Sequence, residues 1–290
     1  MRFHHRLTYA VLTYFSLWLR RLSPSRRRRF ANRLAGYIYR IIPLRKRQAL
    51  RNIQRAFPDK SSNWHHSILQ QCYRFFIRNF YLFLALPESY HSANIRVQGA
   101  DVLKKAWLQK KGVVLVSGHF GVWELLGAWI GYQGFPFVGI AARQKNRGSN
   151  KFFQEKRELS GLTHIFRRES LNNMYDVLNR GELLGFVSDQ DAKGHGIFVS
   201  FFNTFASTHK GPALFHLRAQ APIIFTTSWE EKPNQYVMEF APVEIDGKPT
   251  MEAITQEFTT MLENRIRMHP EQYFWFHRRW KTKKPHKDNV

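Results

Sequence analysis

Cysteine is nearly absent from this sequence of 290 residues, which contains a single copy, Cys72. One cysteine excludes an intrachain disulfide, so a reducing, cytoplasm-facing compartment fits best. The sequence also lacks an internal repeat and a Pro/Gly/Ser-rich linker that would divide it. With 43% hydrophobic and 15% aromatic residues, the chain is predicted to form one elaborate domain with a large core.

The N-terminal apolar run is too short to cross a bilayer. Leu7 to Leu19 spans 13 residues before Arg20 and Arg21, whereas a spanning helix needs roughly 20. No small-residue cleavage site follows, which argues against a signal peptide. We therefore expect an in-plane or shallow membrane anchor, and an ordinary amphipathic helix packed on its own domain is the alternative.

Acidic residues are scarce: 21 Asp and Glu stand against 45 Lys and Arg, which gives a formal charge of +24. Residues 1–60 hold +15 of it, with sixteen basic residues and one acid, Asp59. Such a field attracts nucleic acid, an anionic membrane or an acidic carrier protein. Because the basic residues alternate with apolar ones, residues 1–60 are typical of a membrane-binding segment. A second basic cluster, within residues 278–287, is expected to be an exposed tail or a rim contact.

Two patterns of secondary structure follow one another along the chain. The first is helical and contains three predicted helices. One is capped by Ser25 and runs to about Ile42, the second runs from Leu44 to Phe57, and the third is opened by Ser61 or Ser62 and runs from Trp64 to Leu86. Pro43 and Pro87 are predicted to break this helical pattern. From about residue 95, predicted strands alternate with helical stretches. The strands are Val113 to Ser117, Phe137 to Ala141, Leu183 to Val187 and Pro222 to Thr227. The helical stretches lie at about 121–132, 148–160, 170–180 and 208–219.

This alternation predicts an α/β fold in which helices flank a mixed central sheet. An amphipathic helical membrane-associating region over residues 1–90 precedes the α/β core, residues 91–290. Since no linker separates them, we expect one integrated domain.

The strongest candidate site is a histidine followed five positions later by an acid. This spacing occurs twice, as His119/Glu124 and His164/Glu169, and composition alone predicts about one chance match. His119 follows a predicted strand, has glycines on both sides and precedes a helical pattern, which places it at a strand end where open α/β sheets bind ligands. Glu124 could fold back to orient the imidazole of a general base. His164 has no nearby glycine and is interpreted as a strand-end residue without a catalytic role.

A second polar cluster, Ser188 to Asp191, directly follows another predicted strand. Asp189, Gln190 and Asp191 would thus lie at the same sheet edge as His119, although an acidic turn with local hydrogen bonds is the simpler interpretation. There is no HExxH motif and no Cys/His pair spacing, which argues against a metal site. There is also no G-x-S-x-G elbow, so a covalent serine nucleophile is not indicated.

These residues resemble the lysophospholipid acyltransferase superfamily and, within it, the bacterial lipid A biosynthesis (lauroyl/myristoyl-type) acyltransferases. The His-x4-Asp/Glu motif is matched by His119 and Glu124, and the family's DQD block by residues 189–191. The resemblance covers roughly residues 40 to 284. It includes further segments in the family's order: Asn52 to Pro58, Arg143, Asn146, Arg157, Gly161, Gly196 to Phe202, Thr208, Gly211-Pro212, Ala221-Pro222 and Pro270 to Lys281.

The resemblance implies direct acyl transfer, without a cofactor, from an acyl-carrier-protein or coenzyme A thioester to a hydroxyl of a phosphorylated glycolipid. His119 would be the base and Glu124 the first choice as its partner, with Asp189 or Asp191 as the alternative. Substrate binding is expected of Arg143, Asn146, Arg157 and Gln190. Phenylalanines 198, 201 and 202 are expected either in the acyl groove or in the core.

The family implies the cytoplasmic face of the cell inner membrane as the location. Val122 and Ser188 stand where the family often has Asn and Pro. Neither difference removes a titratable group, so we expect them to affect the choice of acceptor and not the activity itself.

Other functions remain open from the sequence. The closest is acyl transfer to a phosphatidylinositol mannoside or a lysophospholipid, and another is a membrane-binding relative without catalysis. The sequence pI of about 10.5 would permit nucleic-acid binding. We do not expect nucleic acid as a partner, because no helix-turn-helix, RNP or zinc signature is present and the basic residues accompany aromatic ones.

Overall fold

The computed structural model describes residues 1–42, 44–167 and 169–285. Its N-terminal part is helical, as predicted, with α1 (Phe3–Arg20), α2 (Pro24–Ile41), α3 (Lys46–Ala56), α4 (Ser62–Leu84) and α5 (Glu88–His91). The Ser61 hydroxyl caps α4 by accepting from the Trp64 amide. The cap of α2 is Ser23 rather than Ser25, because Pro24 fills the first helical position, where proline is favoured. The break predicted at Pro43 lies outside the described residues.

Helix α1 packs on the domain with one face and exposes the other. On the packed face Leu19 is fully buried, and the Ser16 hydroxyl donates to the Leu84 carbonyl (2.6 Å). The opposite face presents a stripe of exposed apolar residues at helical spacing: Phe3, Leu7, Val11, Tyr14 and Trp18. Among the described residues, no helix is both long and apolar enough to span a membrane.

The rest of the described chain forms the predicted α/β layer. The strands are β1 (Asn94–Gln98), β2 (Val113–Ser117), β3 (Phe137–Ala141), β4 (Thr163–Phe166), β5 (Leu183–Val187), β6 (Ile197–Phe201), β7 (Thr204–Thr208), β8 (Ile223–Lys232) and β9 (Gln235–Pro242). The helices are α6 (Ala100–Leu108), α7 (Trp123–Tyr132), α8 (Arg147–Glu158), α9 (Leu171–Asn179), α10 (Gly211–Ala219) and α11 (Met251–Met268).

Seven strands make the central sheet, in the order β1-β9-β8-β2-β5-β3-β4. All neighbours are parallel except β8 and β9, which form an antiparallel pair, so the sheet is mixed as predicted. The helices lie on both faces: α7 packs in a core with Leu115 and Leu183, while Met174 of α9 and Phe215 of α10 join the core with Val114 and Leu184.

Four strands and four helices of this layer were predicted close to their observed bounds. Strand β8 continues to Lys232, five residues beyond the prediction, because it pairs with β9 from Ile224 to Lys232, with a bulge after Glu230. The hairpin β6–β7 lies outside the main sheet. Phe201 and Phe202 are buried there against Trp280 and Trp275. Of the two locations expected for these phenylalanines, they therefore occupy the core and not the acyl groove.

The C-terminal segment is bound to the N-terminal helices through Asn52. The Asn52 side-chain amide donates to the carbonyls of Trp275 and His277 (2.6 Å each), and the residue is buried. Buried carbonyl groups need such donors, since an unsatisfied one costs the full desolvation penalty. Asn52 therefore fixes the path of residues 270–277, which contact the loop around His119.

Replacing Asn52 should destabilise the fold as a whole. We expect Asn52→Ala to lower the free energy of unfolding by about 2 kcal/mol, since two buried carbonyls lose their donor. Urea unfolding followed by circular dichroism measures the change. The control is Gln54→Ala, an exposed residue of the same helix, which should be neutral. Equal midpoints for both variants would contradict the assigned role of Asn52.

Candidate active site

The loop between β2 and α7 carries His119 and requires glycine at its turn. Gly121 has φ +62°, and a Cβ atom there would lie 1.4 Å from the Ser228 carbonyl oxygen. The backbone is held from two sides: Phe274 donates to the His119 carbonyl (3.0 Å), and Asn79 Nδ2 donates to the Gly121 carbonyl (3.0 Å). The position of His119 is thus fixed by residues far away in sequence.

His119 forms its closest polar contact with Asp189. Its Nδ1 donates to Asp189 Oδ1 at 2.7 Å. The contact follows from the topology, because β2 and β5 are adjacent parallel strands with Ser117 in register with Val187, so both chains leave the sheet at the same edge. Glu124 was the first choice as the residue that orients His119, and Asp189 was an alternative. In the structure, the carboxylate hydrogen-bonded to His119 is that of Asp189 and not that of Glu124.

The two groups shift each other's pKa in opposite directions. Burial lowers the pKa of His119, but the charge and hydrogen bond of Asp189, with a smaller contribution from the charge of Glu124, outweigh it and leave the pKa raised. Burial raises the pKa of Asp189, yet His119 holds it at about 2. Asp189 is thus a carboxylate at neutral pH that favours the imidazolium form of His119.

Glu124 pairs with Arg157 instead of with His119. Arg157 Nε and Nη2 donate to the two carboxylate oxygens at 3.0 and 2.6 Å, which is bidentate geometry. The charge of Glu124 raises the pKa of Arg157 and outweighs burial. Because Glu124 lies in the first turn of α7 and Arg157 in the last turn of α8, this pair joins the two helices beside the site.

The other predicted site residues are only partly brought together. Gln190 Nε2 lies 3.4 Å from His119 Nε2, and both residues line the same cavity. Asp191 accepts from the amide and hydroxyl of Thr282 (3.2 and 3.0 Å) and not from His119, so it anchors the C-terminal segment.

Arg143 and Asn146 do not line the cavity. Asn146 caps α8, because its Oδ1 accepts from the Gly148 and Ser149 amides, and its Nδ2 donates to Thr8 of α1. Arg143 is exposed, with its guanidinium 4.4 Å from the centre of the Phe166 ring. The substrate-binding prediction for these two residues therefore has no geometric support in this structure.

Arg279 is the main participant that sequence reasoning missed. It belongs to the basic cluster that is expected to be an exposed tail or a rim contact, but it is buried, and its guanidinium donates to the Ser207 carbonyl (2.7 Å) and the Thr208 hydroxyl (2.5 Å). Its positive charge helps to lower the pKa of Asp189. The sequence does contain a signal for this burial. Arg279 lies within the run Pro270 to Lys281, and such a density of aromatic residues is more typical of a packed segment than of an exposed tail. Lys287 of the same predicted cluster lies outside the described residues.

A cavity of about 500 Å³ opens beside His119. Residues in register on parallel strands point to the same face of the sheet, so Leu115, Gly185 and Gly139 share the face covered by α7. The α7 lobe of the cavity is largely apolar and is lined by Leu115, Leu126, Gly127, Ile130, Phe137, Gly139, Leu162 and Gly185, with Glu124, Arg157 and His164 as its polar residues. The opposite lobe is lined by Ile140, Arg167, Leu171, Met174, Phe186, His209 and Phe215.

His164, set aside in the sequence analysis, also lines this cavity. It lies within β4 in register with Gly139, and burial lowers its pKa. Glu169 does not contact it, since its carboxylate accepts from the Phe166 amide. Among the described residues, there is no group of three or more His, Cys, Asp or Glu side chains that could hold a metal ion.

The sequence is similar to a known protein family and to several named proteins. The model of the bacterial lipid A biosynthesis acyltransferase family matches residues 2–282. The lipid A biosynthesis palmitoleoyltransferase of Escherichia coli (strain K12) is 28% identical over 255 residues, which cover 83% of this chain and 80% of that protein. The lipid A biosynthesis lauroyltransferase of the same organism is 28% identical over 195 residues (64% and 62%).

A relative with another named acceptor also matches. The phosphatidylinositol mannoside acyltransferase of Mycobacterium tuberculosis (strain CDC 1551 / Oshkosh) is 22% identical over 188 residues, covering 63% of this chain and 59% of that protein. Since the family model spans nearly the whole sequence, the chain belongs to the bacterial lipid A biosynthesis acyltransferase family and is an acyltransferase.

Proposed function

We propose that the chain transfers a fatty acyl group from an acyl-carrier-protein or coenzyme A thioester to a hydroxyl of a lipid A precursor or similar glycolipid. The observation that carries this proposal is the His119–Asp189 pair at the mouth of a cavity with an apolar lobe. The pair supplies a general base, and the apolar lobe offers room for an acyl chain.

The proposed reaction begins with the acceptor hydroxyl at His119 Nε2. Because Nδ1 donates to Asp189, Nε2 is the basic nitrogen and takes the hydroxyl proton as the oxygen attacks the thioester carbonyl. Asp189 stabilises the imidazolium that forms. Collapse of the tetrahedral intermediate breaks the carbon–sulfur bond, and the imidazolium returns its proton to the leaving thiolate. No acyl-enzyme is required.

Arg157 and Gln190 are the proposed donors to the developing oxyanion. Glu124 accepts from Nε and Nη2 of Arg157, which leaves Nη1 for a substrate oxygen in the cavity. Gln190 Nε2 already lies beside the base nitrogen. Glu124 would then act as a positioning residue that holds the arginine fork, while Asp191 would act through the C-terminal segment.

The test of the function is an assay with purified protein. Defined acyl-carrier-protein and coenzyme A thioesters are incubated with a lipid A precursor, a phosphatidylinositol mannoside or a lysophospholipid, and the products are identified by mass spectrometry. Acylation of the lipid A precursor supports the proposal. The match to a phosphatidylinositol mannoside acyltransferase favours that glycolipid as the second candidate acceptor. Thioester-independent or absent acylation of all three acceptors would overturn the proposed function.

Substitutions at the pair should separate the base from its positioning residues. We expect His119→Ala and Asp189→Asn to lower kcat about 10³-fold, since general-base catalysis is lost or impaired. Asp189→Asn should also lower the pKa of His119, so the residual rate reaches its plateau at lower pH than in the wild type. Glu124→Gln should reduce kcat/KM about 10- to 100-fold by loosening Arg157, with a much smaller shift of the pH profile.

The pH dependence of kcat/KM for the three variants and the wild type provides the measurement. Each variant is first checked for native circular dichroism, so that loss of the fold is not mistaken for loss of the base. If Glu124→Gln shifted the profile more than Asp189→Asn, the assignment of Asp189 as partner of His119 would be wrong.

The deep end of the α7 lobe is proposed to set the acyl-chain length. Gly185 and Gly139 are in register on adjacent strands, so they leave a trough without Cβ atoms beneath Gly127 of α7. The Phe137 ring closes it, because a Cβ on Gly185 would lie 2.4 Å from that ring. From Trp123 to Ile130 the helix wall is about 10 Å long.

Removing the Phe137 ring should admit longer chains. We expect Phe137→Ala to shift the ratio of kcat/KM between longer and shorter acyl thioesters about tenfold towards the longer ones. The control is Phe135→Ala, a neighbouring ring that packs on Trp107 and does not line the cavity. An unchanged chain-length preference in active Phe137→Ala protein would refute this role.

We further propose that α1 and α2 dock the enzyme on an anionic membrane, at the cytoplasmic face of the inner membrane. The exposed α1 stripe is joined to one on α2 through the Trp18 and Phe30 rings, 5.3 Å apart. The α2 stripe consists of Phe30, Leu34, Tyr37 and Ile41. An apolar face flanked by arginines matches an anionic lipid surface.

Charges introduced into this face should weaken membrane binding. We expect the double variant Val11→Glu, Leu34→Glu to bind anionic vesicles about tenfold less tightly, because two carboxylates would enter the interface. Vesicle co-sedimentation measures binding. The control, Gln54→Glu with Gln71→Glu, makes the same charge change at exposed positions on α3 and α4. Equal losses in both double variants would mean that charge alone, and not this face, determines binding.

A further inference from the structure

A second groove, separate from the cavity at His119, lies between α2 and α4. It encloses about 420 Å³ and shares no lining residue with the cavity. The residues that line it are Asn32, Arg33, Gly36, Tyr37, Arg40, Ile41, Gln70 and Arg74. None of the reaction steps proposed above uses this groove.

The groove presents hydrogen-bond donors and positive charge. The side chains of Arg33, Arg40 and Arg74 are exposed and make no hydrogen bond or ion pair with any residue that the structure describes, and none of the described lining residues is acidic. Asn32 Oδ1 already accepts from Arg78 Nη1, so the Nδ2 amide group of Asn32 remains as a donor. Three uncompensated guanidinium groups around one groove repel each other unless an anion lies between them.

One wall of the groove belongs to the proposed membrane-docking face. Tyr37 and Ile41 line the groove and are also members of the exposed stripe on α2. A ligand with an anionic head in the groove would therefore have an apolar surface beside it for its hydrocarbon part. This combination fits an amphipathic ligand better than free phosphate.

We propose that this groove binds the phosphate headgroup of an anionic phospholipid in the bilayer on which the enzyme docks. The inference rests on the proposed membrane docking and adds a defined headgroup site to it. The three arginines bind the phosphate oxygens, and the acyl chains extend along Tyr37 and Ile41 into the membrane. Binding there fixes the rotation of α2 relative to the bilayer and thus the orientation of the enzyme.

Gly36 allows a test that leaves every charge in place. It lies in the interior of α2 and lines the groove, and a Cβ built on it meets no atom within 4 Å, so a side chain at this position begins in open space. Leucine is also a better helix former than glycine, so Gly36→Leu should fold at least as stably as the wild type. Thermal unfolding verifies this before binding is measured.

The experiment compares binding to vesicles of phosphatidylcholine with and without phosphatidylglycerol. We expect Gly36→Leu to bind phosphatidylglycerol vesicles about tenfold less tightly and phosphatidylcholine vesicles no less tightly than the wild type. The triple variant Arg33→Gln, Arg40→Gln, Arg74→Gln should lose about tenfold more affinity than Arg26→Gln, Arg29→Gln, Arg51→Gln. The second triple removes the same charge from exposed positions outside the groove.

The outcomes separate this site from general docking and from other ligands. If both triple variants lose equal affinity and Gly36→Leu binds like the wild type, the groove is not a headgroup site, although docking itself stands. If no form of the protein binds either vesicle, membrane docking fails as well. Two further outcomes would overturn the assignment to a bilayer phospholipid. One is that inorganic phosphate binds in calorimetry as tightly as phosphatidylglycerol vesicles do. The other is that Gly36→Leu changes only the KM for the glycolipid acceptor.

Discussion

The hydrogen bond between His119 and Asp189 is the contact on which the arrangement of the site depends. Asp189 is buried, and an isolated carboxylate there would be protonated rather than charged. The imidazole at 2.7 Å and the buried guanidinium of Arg279 keep it ionised, which is why its pKa is low in spite of burial. The core packing that buries Arg279 is therefore as necessary to the pair as the topology that places β2 beside β5.

Glu124 and Asp189 flank the same histidine and differ in their counter-charge. Asp189 faces an imidazole, whose charge changes with protonation, whereas Glu124 faces Arg157, whose charge does not. If Arg157 were absent, Glu124 would add a second negative charge beside His119 and would favour its protonated form further. The Glu124–Arg157 pair thus balances the charge of this carboxylate and fixes a cation in the cavity, while Asp189 makes the larger contribution to the raised pKa of His119.

The features that the sequence predicted well are those that depend on local pattern. The strands that carry His119 and Asp189 were found because buried β-branched runs end in polar residues, and adjacency at one sheet edge follows from parallel pairing. The partner of His119 was ranked wrongly because spacing along the chain favours Glu124, while the competing cation, Arg157, is 33 residues away. Arg279 was missed because its basic neighbours favour an exposed position, which outweighed the signal of the surrounding aromatic residues, whereas tertiary packing buries it.

The two lobes of the cavity are lined by residues on opposite faces of the sheet. In the proposed reaction, this arrangement affects how the acyl donor and the acceptor reach His119. Gly139 and Gly185 open the α7 side, while Ile140 and Phe186, their neighbours in sequence, face the opposite lobe. His119 lies at the carboxyl edge of the strands, and residues from both faces of the sheet line the one cavity beside it. If the proposed acyl chain occupies the lobe under α7, the opposite lobe, with Arg167 and His209, is left for the polar part of the second substrate.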